Sequence, residues 1–209
     1  MVKTSLIILS ILVANTTLAT DNHSKILTDI IDPPNTAALN VVVGALSSLK
    51  ELRKKEQATP KNINALINIK LLPNIALDVA THLTLKKHWD NINDVQKNIF
   101  QRYIAQSLIR DYAGILGSYD QLESVNISVN PNVKRKDNKA IVKLIISFNK
   151  KQNPVKVTLK MIRLNHWYIY DLMFSGVSLI KNYQAQFDSH IKRKGLDSLI
   201  KKISRKLNV

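Results

Sequence analysis

From residue 94 to residue 116 the apolar positions recur every three or four residues. Phe100, Tyr103, Ile104, Leu108, Tyr112, Ile115 and Leu116 make one stripe, and Lys97, Gln101, Arg102, Gln106 and Arg110 lie mostly away from it. That spacing predicts an amphipathic helix. Its start is marked too: Asn93 is placed to cap, Gln96 stands at the third helical position, and Asp94 suits the positive end of the dipole. Upstream the same period predicts three more segments. A short helix around Ile26, Leu27 and Ile30 is stopped by Pro33-Pro34. A helix capped by Asn35 or Thr36 carries Leu39, Val42, Val43, Leu46, Leu49 and Leu52. A shorter one runs from Pro60 to Leu72 with Ile63, Leu66 and Ile67, and Pro73 separates it from a segment with Ile75, Leu77, Val79 and Leu83.

After residue 120 the period changes from 3.6 to 2. Val125, Ile127 and Val129 alternate with Asn126 and Ser128. A second strand runs from Ala140 to Phe148 with Val142, Leu144, Ile146 and Phe148 inward. A third carries Val155, Val157, Leu159 and Met161 inward against Lys156, Thr158 and Lys160, and a fourth is Trp167 to Phe174. Short connections favour an antiparallel meander. The helical period then returns with Leu179, Ile180, Tyr183, Phe187 and Ile191. Gly195 ends that helix, and a last one carries Leu196, Leu199, Ile200, Ile203 and Leu207. Helices, then strands, then helices predict an α+β fold. An antiparallel meander of four or more strands has one face covered by helices, an apolar pocket between the layers, and a second face open to water.

The first residues follow another pattern. Lys3 is a short positive region, Leu6 to Val13 is an apolar run, and Thr17 and Ala19 put small residues before a cleavage point. This pattern predicts a secretory signal peptide over residues 1–19, and the run is too short to span a bilayer. Residues 20–209 are then a single domain, with helices over about 24–118, strands over about 121–174 and terminal helices over about 178–207. The chain has no cysteine, so disulfides and a cysteine-linked lipid anchor are excluded. The fold must rest on a hydrophobic core, for which the length suffices. The formal charge of +16 becomes +15 without Lys3, which points to anionic partners. The lysines are spread widely, however, and no nucleic-acid-binding motif accompanies them.

Candidate chemistry is sparse. Gly176-Val177-Ser178-Leu179-Ile180 is half of a nucleophile elbow, but the second glycine of G-x-S-x-G is absent. His23, His82, His88, His166 and His190 fall in no triad or metal motif. No catalytic residue, metal or cofactor is therefore expected. Ser178 reads better as a helix cap, with Gly176 turning the chain from strand to helix. Asp171, inside an apolar strand, is the one unusual carboxylate. It would accept hydrogen bonds from nearby backbone or Trp/Tyr groups; as an alternative it would serve a small cone-fold α+β enzyme or an apolar-ligand-binding module. A third reading is a protein-interaction module with a packed core.

Two sets of residues resemble a known family. The first is Leu72-Pro73, Asp78, Leu85-Lys86-Lys87-His88-Trp89, Gln96, Phe100, Leu108 and Tyr112. The second is Trp167, Tyr170-Asp171, Gly176-Val177-Ser178-Leu179, Asn182-Tyr183, Gln186-Phe187 and Gly195. In that order they resemble the MlaC proteins, the periplasmic phospholipid-binding components of the lipid-asymmetry pathway of Gram-negative cells. The chain departs from the family pattern at Lys86, where glycine is usual, at Gln184, where arginine is common, and at Asn165-His166, where glycine shortly precedes the tryptophan.

The resemblance implies a mixed α+β fold with a deep apolar pocket and a bound phospholipid as cargo. It implies a soluble, monomeric periplasmic shuttle between an outer-membrane lipoprotein–porin complex and an inner-membrane ABC transporter with an MCE-type substrate-binding subunit. No covalent chemistry and no nucleic acid are implied. The residues expected to meet lipid are Phe100, Tyr103, Ile104, Leu108 and Tyr112 from the helices, and Val142, Leu144, Ile146, Phe148, Val157, Leu159 and Met161 from the sheet.

Overall fold

The structure, a computed structural model, describes residues 32–118, 125–147, 154–174 and 176–208, with the side chains of 111–118 left aside. The expected leader and the helix around Ile26 therefore lie outside the described residues. Asp32–Val209 form one compact unit.

Six α-helices and six strands are found among the described residues. Helix α1 (Pro34–Lys54) begins at the second proline, not at Asn35 or Thr36. Proline's fixed φ and missing N–H suit the first helical position, so Pro33-Pro34 opens a helix here. Helix α2 (Pro60–Leu66) is capped by Thr59, whose Oγ1 accepts from the Asn62 amide at 3.3 Å. It continues as a π turn over Ile67–Leu71 and a 3₁₀ turn over Leu72–Asn74. Helix α3 (Leu77–Leu85) ends at Lys86, where the backbone turns with φ +34° into a 3₁₀ segment, Lys86–Asn91. Helix α4 (Asp94–Ser118) starts with the expected reciprocal cap: Asn93 Oδ1 accepts from the Gln96 amide at 2.9 Å, and Gln96 Oε1 accepts from the Asn93 amide at 3.0 Å.

The strands are β1 (Asn126–Val129), β2 (Lys134–Lys136), β3 (Lys139–Ser147), β4 (Val155–Arg163), β5 (Trp167–Phe174) and β6 (Val177–Ser178). They form one antiparallel sheet in the order β1-β3-β4-β5-β6, and β2 pairs with β3 beyond β1. β2 and β6 add to the four strands that alternation shows. Helix α5 (Leu179–Lys194) is capped by Ser178, and Gly195, at φ +81°, separates it from helix α6 (Leu196–Leu207).

Among the described residues, two apolar clusters hold the helical layer. In one, Phe100, Ile104 and Leu108 of α4 meet Tyr183 and Phe187 of α5 and Leu199, Ile203 and Leu207 of α6. The Phe100 and Phe187 rings tilt at 59° with centroids 5.3 Å apart, a favoured aromatic arrangement. In the other, Ala45 and Leu49 of α1 pack on Ile63, Leu66 and Ile67. Helix α1 also rests on β1, β3 and β5, and α3 and α5 rest on β5.

Candidate functional site: an apolar cavity under the sheet

The strand register stacks side chains into rows across the sheet. Val142, Leu159 and Leu172 form one row; Leu144, Val157, Phe174 and Val177 form the next; Ile127, Ile146 and Val155 form a third. Burial falls along this sequence. Val142 and Leu159 are fully enclosed, Phe174 is 46% and Val177 63% exposed, and Ile127, Ile146 and Val155 are half-buried. A close-packed layer would cover all three rows. Instead a cavity of about 250 Å³ lies between this face and the helices.

Its walls come from five places, one of them helix α3 with Ala80 and Thr84. The sheet supplies Leu144, Ile146, Val157 and Leu159. Helix α1 supplies Val41, Val42, Ala45 and Leu46, and the π and 3₁₀ turns supply Ile67, Leu71, Leu72 and Ile75. Helices α4 and α5 supply Ile104, Leu108, Leu179 and Ile180. Among the described residues of the lining, only Thr84, Tyr170, Asp171 and Tyr183 have polar side chains, and the Asp171 carboxylate is turned to Lys160. The Ala76 amide donates to the Ile169 carbonyl at 2.9 Å, and Ile75 bridges Ile169, which ties the 3₁₀ turn to β5 beside the cavity. Thr84 spends its hydroxyl on the Ala80 carbonyl at 2.8 Å. Tyr170 keeps its proton at neutral pH: burial pushes the phenol above its ordinary value, Lys160 pulls it down and Asp171 pushes it up.

An unfilled apolar cavity this large is expensive. At about 24 cal/mol per Å³ it would cost about 6 kcal/mol, within the range of a typical domain's whole stability, about 5–15 kcal/mol. Water is a poor filler, since an apolar cavity of about 150 Å³ stays dry and takes up benzene. The arrangement suits an aliphatic ligand with few polar demands.

The residues expected to meet lipid separate into three groups. Ile104, Leu108, Leu144, Ile146, Val157 and Leu159 line the cavity. Phe100, Tyr103, Val142 and Met161 do not: Phe100 and Tyr103 face the Phe187 ring, and Val142 and Met161 are sealed in the sheet–helix core. The Phe148 position and the Tyr112 side chain lie outside the described residues. Sequence reasoning passed over the α1 wall, the turn residues Leu71 and Ile75, and Ile169 and Leu172 of β5. Val42 and Leu46 were visible as a helical stripe, but a stripe does not say whether it meets a neighbour or a void.

Asp171 is 4% exposed and fully engaged. Its Oδ2 accepts from Lys160 Nζ and Ser178 Oγ, each at 2.8 Å, and its Oδ1 accepts from the Ile180 amide at 3.2 Å. The expected backbone donor is present as the Ile180 amide, and the side-chain donors are a lysine and a serine in place of Trp or Tyr groups. Ser178 Oγ also accepts from the Lys181 amide at 3.2 Å, so it caps α5 while bound to Asp171. Gly176 sits at φ +82°, a region open to glycine. This corner spends its polar atoms on holding β5 to α5. Among the described residues no group of three or more His, Asp or Glu is placed to hold a metal.

Comparison with known proteins agrees with this geometry. The family model described as MlaC protein matches residues 40–205. The intermembrane phospholipid transport system binding protein MlaC of Haemophilus influenzae is 20% identical over 170 residues, covering 76% of this chain and 75% of that protein. A solved structure of a phospholipid-binding protein from Ralstonia solanacearum, in complex with a phospholipid, superposes with a TM-score of 0.72 at 20% identity, covering 85% of this chain and 100% of that one. The matched span takes in the cavity walls, the Asp171 corner and both terminal helices, and the chain belongs to the MlaC protein family.

Proposed function

We propose that this chain is a phospholipid carrier. It encloses acyl chains in the cavity beneath the sheet and leaves the headgroup near solvent. The observation that carries the reading is the cavity of about 250 Å³ with an almost wholly aliphatic lining. Each methylene moved out of water into such a lining gains about 0.8 kcal/mol, so acyl chains supply most of the affinity and the headgroup little selectivity. The names of the relatives support the same cargo.

The finer role follows the family. The chain loses residues 1–19 on export, works in the periplasm, and passes lipid between an outer-membrane lipoprotein–porin complex and an inner-membrane ABC transporter with an MCE-type subunit. It performs no covalent chemistry, since both oxygens of its one unusual carboxylate, Asp171, already serve the fold. Transfer of a fluorescent phospholipid between donor and acceptor vesicles tests the reading. The mature chain accelerates exchange in proportion to its concentration. A rate equal to that of vesicles alone overturns the proposal.

A further inference from the structure

The sheet face turned away from the cavity is a field of lysines. Along β3, Lys139, Ile141, Lys143 and Ile145 alternate with Ala140, Val142, Leu144 and Ile146 of the opposite face. The register sets Lys136 of β2 directly across from Lys139 and Lys134 across from Ile141, and on β4 it sets Lys156 across from Ile145. Lys134, Lys136, Lys139, Lys143 and Lys156 are all exposed. Among the described residues none of the five makes an ion pair; on this face only Lys160 has a carboxylate, Asp171.

Like charges directly across a strand pair are destabilising, and diagonal neighbours such as Lys143 and Lys156 stand about 7–8 Å apart. Those separations are within a Debye length of about 8 Å. The fold therefore concentrates positive charge on one surface without compensating it. An external anionic surface would relieve the repulsion.

We infer that this lysine face docks the chain onto an anionic phospholipid bilayer. The residues are lysines, point charges that attract an anionic surface without the paired geometry an arginine fork imposes. The positions between them are the half-buried Ile141, Ile145 and Met173, aliphatic groups suited to a headgroup layer. Sheets that bind nucleic acid place aromatic rings there for base stacking. Each lysine close to an anionic leaflet raises partitioning about fivefold. The inference stands on the charge pattern and does not require any particular cargo in the cavity.

Co-sedimentation of the full mature chain with vesicles tests it. The vesicles are phosphatidylcholine alone, and phosphatidylcholine mixed with phosphatidylglycerol, each at low and high salt. The chain binds the mixed vesicles at low salt, releases at high salt, and leaves neutral vesicles in the supernatant. The variant Lys139→Gln/Lys143→Gln/Lys156→Gln binds mixed vesicles on the order of 100-fold more weakly, with an unchanged or raised melting temperature because exposed repulsion is removed. A charge-matched control on the terminal helices, Lys192→Gln/Lys201→Gln/Lys202→Gln, keeps most of its binding. Equal losses in the two variants, equal binding to neutral and anionic vesicles, or tighter binding to a DNA duplex than to mixed vesicles at matched salt would each overturn the inference. Vesicle transfer by the triple variant at high salt, where docking is screened, reports on the cavity separately.

Discussion

Lys160 Nζ lies 2.8 Å from Asp171 Oδ2 on the sheet face opposite Leu159 and Leu172, although strict alternation from Trp167 and Ile169 would turn Asp171 inward. The register shifts between Lys160 and Met161 and leaves Tyr170 without a partner on β4. That extra residue swaps the faces of β5. Leu172 is delivered to the cavity and Asp171 to Lys160. The bulge thus keeps a carboxylate off the face on which an acyl chain would lie, and makes it the anchor of the β5–α5 corner.

Asp171→Asn tests that anchor. The side chain is 2% exposed and Lys160 26%, so losing the charge leaves a half-sheltered ammonium and weakens two further bonds. The expected loss is about 2–4 kcal/mol, read from urea unfolding with an unchanged slope. A loss below about 0.5 kcal/mol, the level of an ordinary surface substitution, would show that the corner does not need the carboxylate.

Lys86 holds φ +34°, ψ −96° at the end of α3, a left-handed conformation that favours glycine. A side chain in such a conformation costs about 1–3 kcal/mol, against about 0.5–1 kcal/mol of chain entropy that glycine gives up. Lys86→Gly is expected to stabilise the protein by about 1 kcal/mol, seen as a raised melting temperature. A lowered one would mean that the turn is not strained.

Core and cavity should answer differently to substitution. Phe100 is fully buried against Phe187 and outside the cavity, so Phe100→Ala costs about 3–5 kcal/mol. Val42 is a half-buried wall residue, and Val42→Trp fills space that an acyl chain would use. It is expected to lower bound lipid severalfold with little loss of stability. Unfolding curves and lipid content of the two variants, measured side by side, check the distinction.

The ion pairs that tie the 3₁₀ segment Lys86–Asn91 to α5 give a pH signature. Asp188 is raised by partial burial, but hydrogen bonds and charge from Lys87 and His88, at 3.1 and 2.9 Å, outweigh this and hold the carboxyl below its ordinary value of 3.8. A depressed folded value means that the contribution is present above the unfolded value and is lost as pH falls through the folded one. The difference in melting temperature between the chain and Asp188→Asn should persist at pH 5–7 and close below about pH 4. A difference that grows on acidification contradicts the assignment.

Much of the fold was legible because its elements obey one period each. The α4 stripe from Phe100 to Leu108 and its Asn93–Gln96 cap, the alternation on β3 from Val142 to Ile146 and on β4, and the Gly176–Ser178 corner all stand as read. β2 was hidden because Lys134-Arg135-Lys136 has no apolar alternation, and two-residue β6 is too short to show a period. Pro34 opens α1 where the sequence suggested only a break, since proline serves equally to stop one helix and to begin the next. The site was half legible for a different reason. Periodicity identifies an apolar face but not what the face meets, so Phe100 and Ile104, one turn apart, look alike until α5 and α6 cover the first and the cavity borders the second. The β5 bulge, which decides that Leu172 and not Asp171 faces inward, has no local sequence mark.

The most direct test of the lipid-carrier account is mass spectrometry of the purified mature chain, first under gentle and then under denaturing conditions. The account predicts that the gentle spectrum carries the chain with added phospholipid mass, and that denaturation strips the mass to leave phospholipid identifiable in the extract. A gentle spectrum of the bare chain, with no phospholipid in the extract and none taken up from vesicles, would contradict it.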